Sequence, residues 1–281
     1  MLRTHRSLFA LVAAVATLGA SQAQAAWTLN MTQGVTSMSA EIYSLHMSMF
    51  WWCVAIAVFV FGWMIWSLVA FRKSNGAVPD TTLVHSTKAE IIWTIIPVVI
   101  LVVLAVPAAR TLIALDDSRG SELTVKVTGY QWKWGYDYLD SGVSFFSTLS
   151  RDSNEARQLQ SSIDVHTVHE YLRDVDHPLV VPTGTKVRLL LTAQDVIHAW
   201  WVPELAIKKD AIPGFVNELW FKVDADKPGL YRGQCVELCG RDHGFMPIVV
   251  EAKSPADFKV WVKEQQEAQQ QARLLAAAKT G

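Results

Sequence analysis

The sequence predicts a two-helix transmembrane hairpin followed by an all-β Greek-key sandwich, and three observations carry that reading. Two long stretches, 46–71 and 91–113, are almost free of charge. From residue 116 onward the chain changes to short alternating segments separated by turns. A cluster of soft metal donors then falls in a loop between two such segments. With 281 residues, 51% of them hydrophobic and only 18% charged, the chain is too apolar to be an ordinary soluble domain throughout. A net charge of −1, with no basic patch interleaved with aromatics, excludes an electrostatic binder of nucleic acid.

Taken in order, the chain opens on a targeting pattern. Arg3, His5 and Arg6 precede an apolar run over 8–18, and Ala23-Gln-Ala25 supplies small residues at cleavage spacing, so 1–25 reads as a signal peptide and Ala26 as the mature start. The apolar run is shorter than the roughly 20 residues that a bilayer span needs. The stretches 46–71 and 91–113 are long enough. Pro97 and Pro107 in the second are compatible with a membrane helix packed on other protein, where partners satisfy the freed carbonyls. Arg72, Lys73 and Lys88 flank the short connection, and basic residues in short loops mark the cytoplasmic side, so the domain after the second span is expected in the periplasm. Cys53, inside the first span, is expected to be a small buried hydrophobe.

The segment 116–253 reads as the β domain. Leu123, Val125 and Val127 alternate with Glu122, Thr124, Lys126 and Thr128, the period of a half-buried strand. Further strands are expected over 179–182, 187–191, 219–223 and 248–251, with turns at Pro182-Thr183-Gly184 and Pro228-Gly229. Tyr130, Trp132, Trp134 and Tyr136 read as alternating along one strand, which puts Trp132 and Trp134 on a shared face. Residues 141–176 are polar and show no alternation, so they read as an excursion, part helical, with His166, His169 and His177 at the surface. The tail 254–281 reads as a helix with Ser254 as N-cap and Pro255 at its first position. Phe258, Val260 and Trp261 are expected to dock it, and its far part to be solvated. No C-x-x-C-H occurs, so no c-type haem is attached.

The chemistry lies in Gln-Cys-Val-Glu-Leu-Cys-Gly-Arg-Asp-His-Gly-Phe-Met-Pro at 234–247. Cys235, Cys239, His243 and Met246 form a soft donor set. A thioether is a poor zinc ligand but a familiar weak ligand of copper, so copper leads and zinc stands behind it. A disulfide is the other reading of two cysteines in an exported domain. His198, in the turn after a predicted strand, is the candidate second imidazole. Two thiols, two histidines and a methionine suffice for two copper ions if both sulfurs bridge. Asp195, three residues before His198, is placed to orient that imidazole or to offer negative charge to a basic partner.

These residues carry a resemblance. Asp-Val-Ile-His-Ala-Trp at 195–200, Asp-Ala-Ile-Pro-Gly at 210–214, Gly-Gln-Cys-Val-Glu-Leu-Cys-Gly at 233–240 and His-Gly-Phe-Met-Pro at 243–247 resemble subunit II of haem-copper cytochrome c oxidases. The resemblance implies a cupredoxin-like sandwich in the periplasm, anchored in a bacterial inner membrane. It implies a binuclear copper centre, CuA, held by His198, Cys235, the backbone carbonyl of Glu237, Cys239, His243 and Met246. It further implies a magnesium ion on the Glu237 carboxylate, where the chain meets subunit I. Trp132 would take electrons from cytochrome c or a similar small redox protein, with Trp134 and Tyr136 in support. Glu90, otherwise a solvated interfacial charge, would lie at the cytoplasmic mouth of a proton path. Subunits I and III would be partners. A membrane-anchored copper-delivery or copper-sensing protein is the alternative, and it needs neither Trp132, Glu90 nor Glu237.

Overall fold

The computed structural model describes residues 30–280 except 79, 80 and 83. The signal peptide expected over 1–25 lies outside the described residues. Helix α1 spans Ser37–Ala70 and helix α2 spans Thr87–Asp116, and both are long and apolar enough to cross a membrane. The first helix begins nine residues before the expected start at 46. Thr36 and Ser39 form a reciprocal capping box there, each side chain accepting the other's backbone N–H at 2.9 and 3.0 Å. The box satisfies amides at the helix start, so helix extends ahead of the charge-free run. It carries Glu41 with it, which accepts a 2.7 Å hydrogen bond from Thr111 of α2. Pro97 and Pro107 both lie inside α2. Cys53 is exposed on the surface of α1 and not buried, because no third membrane helix covers that face among the described residues.

Among the described residues ten strands form two five-stranded sheets. They are β1 Leu123–Tyr130, β2 Lys133–Tyr138, β3 Ser144–Ser147, β4 Leu179–Pro182, β5 Val187–Ala193, β6 His198–Val202, β7 Ile207–Ala211, β8 Asn217–Phe221, β9 Gly229–Cys235 and β10 Pro247–Lys253. One sheet runs β3-β2-β1-β5-β8 and the other β4-β10-β9-β6-β7. Non-consecutive neighbours, with β1 parallel to β5 and β4 parallel to β10, give the crossovers of a Greek-key sandwich. Strict alternation of buried and half-buried residues along β5 turns Val187, Leu189 and Leu191 inward, and Val125, Val127, Trp200, Ile248 and Val250 complete a core that is wholly buried.

Two sequence expectations change. The aromatic run is not one strand: β1 ends at Tyr130 and β2 starts at Lys133, so Gln131 and Trp132 form the tip of a hairpin in which Tyr130 pairs with Lys133. A two-residue tip preserves the alternation of the letters while reversing the chain, which is why the pattern misleads. The excursion over 141–176 does contain a helix, α3, at Arg151–Ala156, but it also contains β3, where Phe145 and Ser147 face inward and Ser144 and Phe146 outward, so each face carries one phenylalanine and one serine and the letters give no period to read. His166, His169 and His177 are exposed, as expected.

The final helix α4 spans Pro255–Thr280, with Ser254 Oγ accepting the Asp257 amide at 3.1 Å. Phe258, Trp261 and Val262 pack on the core, whereas Val260 is 57% exposed and does not dock. Val260 falls on the opposite face of the helix from Phe258 and Val262. The Trp261 ring lies tilted against Tyr138, 5.3 Å between centroids, and the Tyr138 hydroxyl donates to Val180 O at 2.7 Å and accepts from Val180 N at 2.9 Å. The Trp220 indole donates to Ala114 O at 3.1 Å, tying the end of α2 to the sandwich.

Candidate metal centre

Strand register builds the site. Gln234 pairs with Pro247, so the loop over 235–246 leaves and re-enters the sheet at one point, and Trp200 pairs with Cys235, which sets His198 beside the same loop. The Cys235 and Cys239 sulfurs lie 3.8 Å apart. That is far beyond the roughly 2.05 Å of a disulfide. One ion at about 2.3 Å from each sulfur would touch both. Around the pair, His198 Nδ1 is 3.9 Å and the Glu237 carbonyl 3.4 Å from Cys235 Sγ, while His243 Nδ1 and Met246 Sδ are each 3.4 Å from Cys239 Sγ. Every donor singled out in the sequence is thus brought together. His198, Cys235, Cys239 and Met246 are buried, and the Glu237 side chain points into solvent.

The electrostatics favour a cation. Burial opposes charge on both thiols. At Cys235 the His198 imidazole and nearby backbone amides outweigh burial, and the thiol is held below its ordinary value. Burial, joined by the charge on Cys235, pushes Cys239 up to about 12. Ionising both thiols together is thus opposed, and a bound metal would offset that by drawing off their protons. Asp195 Oδ1 lies 2.9 Å from His198 Nε2, and the carboxylate also accepts the amides of Gln131 and Val196, each at 2.7 Å. Burial alone would raise Asp195; these bonds bring it below the usual carboxylate range, so it faces the imidazole as an anion and turns Nδ1 toward the sulfurs. A Cβ on Gly129 would come within 2.7 Å of the His198 ring, so only glycine admits that imidazole here.

Trp132 is half-buried, and its indole N–H donates to the carbonyl of Cys239 at 3.1 Å. Gln131, which sequence reasoning passed over, donates its side-chain amide to the same oxygen at 2.9 Å. The hairpin tip reaches that carbonyl only because Gly240, at φ +112°, carries no side chain. Trp134 and Tyr136 are fully buried and support the site from within, so neither belongs to a docking surface. Trp134 packs edge-on 5.8 Å from His198, and the Tyr136 hydroxyl accepts from the Trp200 indole at 3.3 Å. Glu90 is not part of this cluster. It sits exposed in the first turn of α2, its carboxylate 3.9 Å from His85, with 26 residues of helix, about 39 Å, between it and the sandwich.

Sandwich, helical hairpin and donor set define a membrane-anchored copper protein of the cupredoxin type. Residues 123–253 match the family model described as "Cytochrome C oxidase subunit II, periplasmic domain", and 24–110 match that of its transmembrane domain. The probable cytochrome c oxidase subunit 2 of Rickettsia bellii is 40% identical over 237 residues, covering 84% of this chain and 83% of the relative. That of Rickettsia prowazekii is 40% identical over 238 residues, covering 84% and 72%. A crystal structure of the periplasmic domain of subunit II of cytochrome oxidase of Bradyrhizobium japonicum shares 39% identity, covers 54% of this chain and 98% of that one, and has a TM-score of 0.45. The chain belongs to the cytochrome c oxidase subunit II family. It is a copper-binding membrane subunit that works beside the other subunits of the oxidase, and a copper-delivery role is set aside because the match covers helices and sandwich alike.

Proposed function

We propose that this chain receives electrons from a cytochrome c at Trp132 and carries them to a copper pair held by His198, Cys235, Glu237 through its carbonyl, Cys239, His243 and Met246. The observation that carries the reading is the ring of four donors around two unbonded thiols 3.8 Å apart. Six donor groups are more than a single ion uses and would suffice for two. Copper held there supplies one-electron chemistry.

The protein residues do the rest. Trp132 offers a π surface at the hairpin tip, and its hydrogen bond to the Cys239 carbonyl links that surface to the ligand shell. Asp195 and Trp134 fix the His198 ring, so the ligand set stays in place as charge comes and goes. The exposed Glu237 carboxylate is a hard oxygen donor suited to magnesium at the contact with subunit I. Glu90, at the far end of α2, is assigned to proton uptake on the cytoplasmic side, and Arg72, Lys73 and Lys88 orient the sandwich to the periplasm of a bacterial inner membrane.

Replacing Trp132 by Phe tests the relay. It should slow reduction by cytochrome c at least tenfold while copper content stays the same, and an unaltered rate rejects the role. Glu90→Gln should lower proton uptake with copper reduction untouched; normal turnover and pumping would reject that assignment.

A further inference from the structure

We propose that Arg157 is a positioning residue for the copper centre, and that the polar excursion over 141–176 is the support that carries it. This rests on His243 and Met246 being copper ligands. Both stand on the second arm of the copper loop, 240–246, where His243 is only half-buried while His198, Cys235, Cys239 and Met246 are buried. The arm is fastened at its two ends. Gln131 and Trp132 hold the Cys239 carbonyl at one, and the Cys235 amide donates to Met246 O at 3.4 Å at the other. Between them, His243 N donates to Gly240 O at 3.2 Å and Phe245 N to Asp242 O at 2.9 Å, bonds that wind the arm upon itself and give it no hold on the sandwich.

Arg157 grips the arm on both sides of His243. Its guanidinium lies 3.6 Å from the carboxylate of Asp242, one residue before the ligand, and 4.4 Å from the ring centroid of Phe245, two residues after it. The Arg157 and Asp242 side chains are 22% and 15% exposed, so the pair is screened less by water and salt than a surface pair, and the contact of cation with ring gains from the same shielding. Arg157 is itself aimed, because its Nε donates to Asn154 Oδ1 of α3 at 2.8 Å. Arg241 also pairs with Asp242, at 3.3 Å, but it is 81% exposed and belongs to the arm. Its contact beyond the arm is a looser one, 5.5 Å to the Trp132 centroid.

The excursion is stiff enough to serve as the anchor. Its base is closed by Thr148, whose amide and hydroxyl donate to the Asp176 carboxylate at 2.7 and 2.8 Å, by Ser150 N donating to Asp174 O at 3.0 Å, and by the bridge between Leu149 and Val175, both buried. Ser153 of α3 is wholly buried and accepts the Leu172 amide at 3.1 Å. A second arginine runs the other way: Arg232 of β9, three residues before Cys235, lies 3.7 Å from Glu170 and 3.7 Å from Asp174. The excursion thus ties the strand that delivers Cys235 to the arm that delivers His243 and Met246. Ordering that arm in advance lowers what metal binding must spend on it.

The test uses the full chain in detergent, copper-free and copper-loaded. Arg157→Ala should speed hydrogen exchange of the His243 and Phe245 amides in the copper-free chain about tenfold and weaken copper binding about tenfold in competition with a chelator, while the sandwich keeps its unfolding midpoint. Arg157→Lys keeps a charge for Asp242 but lacks a flat face for Phe245, and should recover part of both. Arg151→Ala is the control, because Arg151 stands on the same helix and pairs at the surface with Glu155 at 2.7 Å. It should change neither. Parent values in Arg157→Ala, one readout moving without the other, or equal shifts in Arg151→Ala overturn the inference, and so does a loss of copper that only follows a lower unfolding midpoint. His243→Ala separates the clamp from the ligand assignment. If it leaves copper affinity and the nitrogen hyperfine coupling unchanged, His243 is no ligand and the clamp falls with it. If it weakens copper binding while Arg157→Ala does not, the ligand stands and the clamp is wrong.

Discussion

In the sandwich Val127, Leu189, Trp134 and Trp200 are covered completely by side chains of the same chain, whereas in α1 and α2 Trp63, Ile65, Trp93 and Leu101 stand more than half exposed. The same apolar chemistry is satisfied in one region and left open in the other. The sandwich closes its core with two facing sheets and a docked helix, so the copper donors rest on a self-sufficient frame. The two membrane helices have each other, a polar contact between Glu41 and Thr111, and surface left for lipid and partner subunits to cover. Site geometry should accordingly answer to changes in the sandwich and stay indifferent to changes on the lipid-facing surface.

The sharpest way to break that comparison is a matched pair of truncations. Trp134→Ala removes a wholly buried indole that packs on His198 and should cost about 3–5 kcal/mol in denaturant unfolding of the sandwich, with copper loss as a consequence. Trp63→Ala in α1 should leave the sandwich midpoint and copper content where they are. Equal effects from the two would show that the regions fold as one unit.

Less drastic is Asp195→Asn. The amide keeps a hydrogen-bonding shape but loses the charge that faces His198, so copper affinity should fall about 10 to 100-fold by competition with a chelator, with little change in the unfolding midpoint. Smallest is Thr111→Val, which removes the hydrogen bond from α2 to Glu41 of α1. It should weaken helix pairing by about 0.6 kcal/mol, read in detergent by a distance label on each helix, with no change at copper.

The copper donors were legible because five of the six fall in one short loop, where softness and spacing speak directly, and the sixth, His198, ends a turn at a visible strand. The fold was legible in the same way, from apolar runs and alternation. Contacts made by the hairpin tip were not. Gln131 and Trp132 reach a carbonyl 108 and 107 positions away, a distance that no local pattern spans. Likewise Arg157 lies in a stretch whose letters suggest only solvated polarity, and its place over Phe245 depends on how the excursion folds back on the copper loop. Val260 and the start of α1 were misjudged for a simpler reason. Helix phase and capping are decided by particular partners, here the core under Phe258 and the Thr36–Ser39 box, and hydrophobicity by itself does not reveal them.

The central claim is that the two thiols share a pair of copper ions. Electron paramagnetic resonance on the copper-loaded chain in detergent, together with a copper count, tests it most directly. The account predicts two coppers per chain and a single unpaired electron whose hyperfine structure comes from both nuclei. One copper per chain, with the splitting of a lone nucleus, would contradict it.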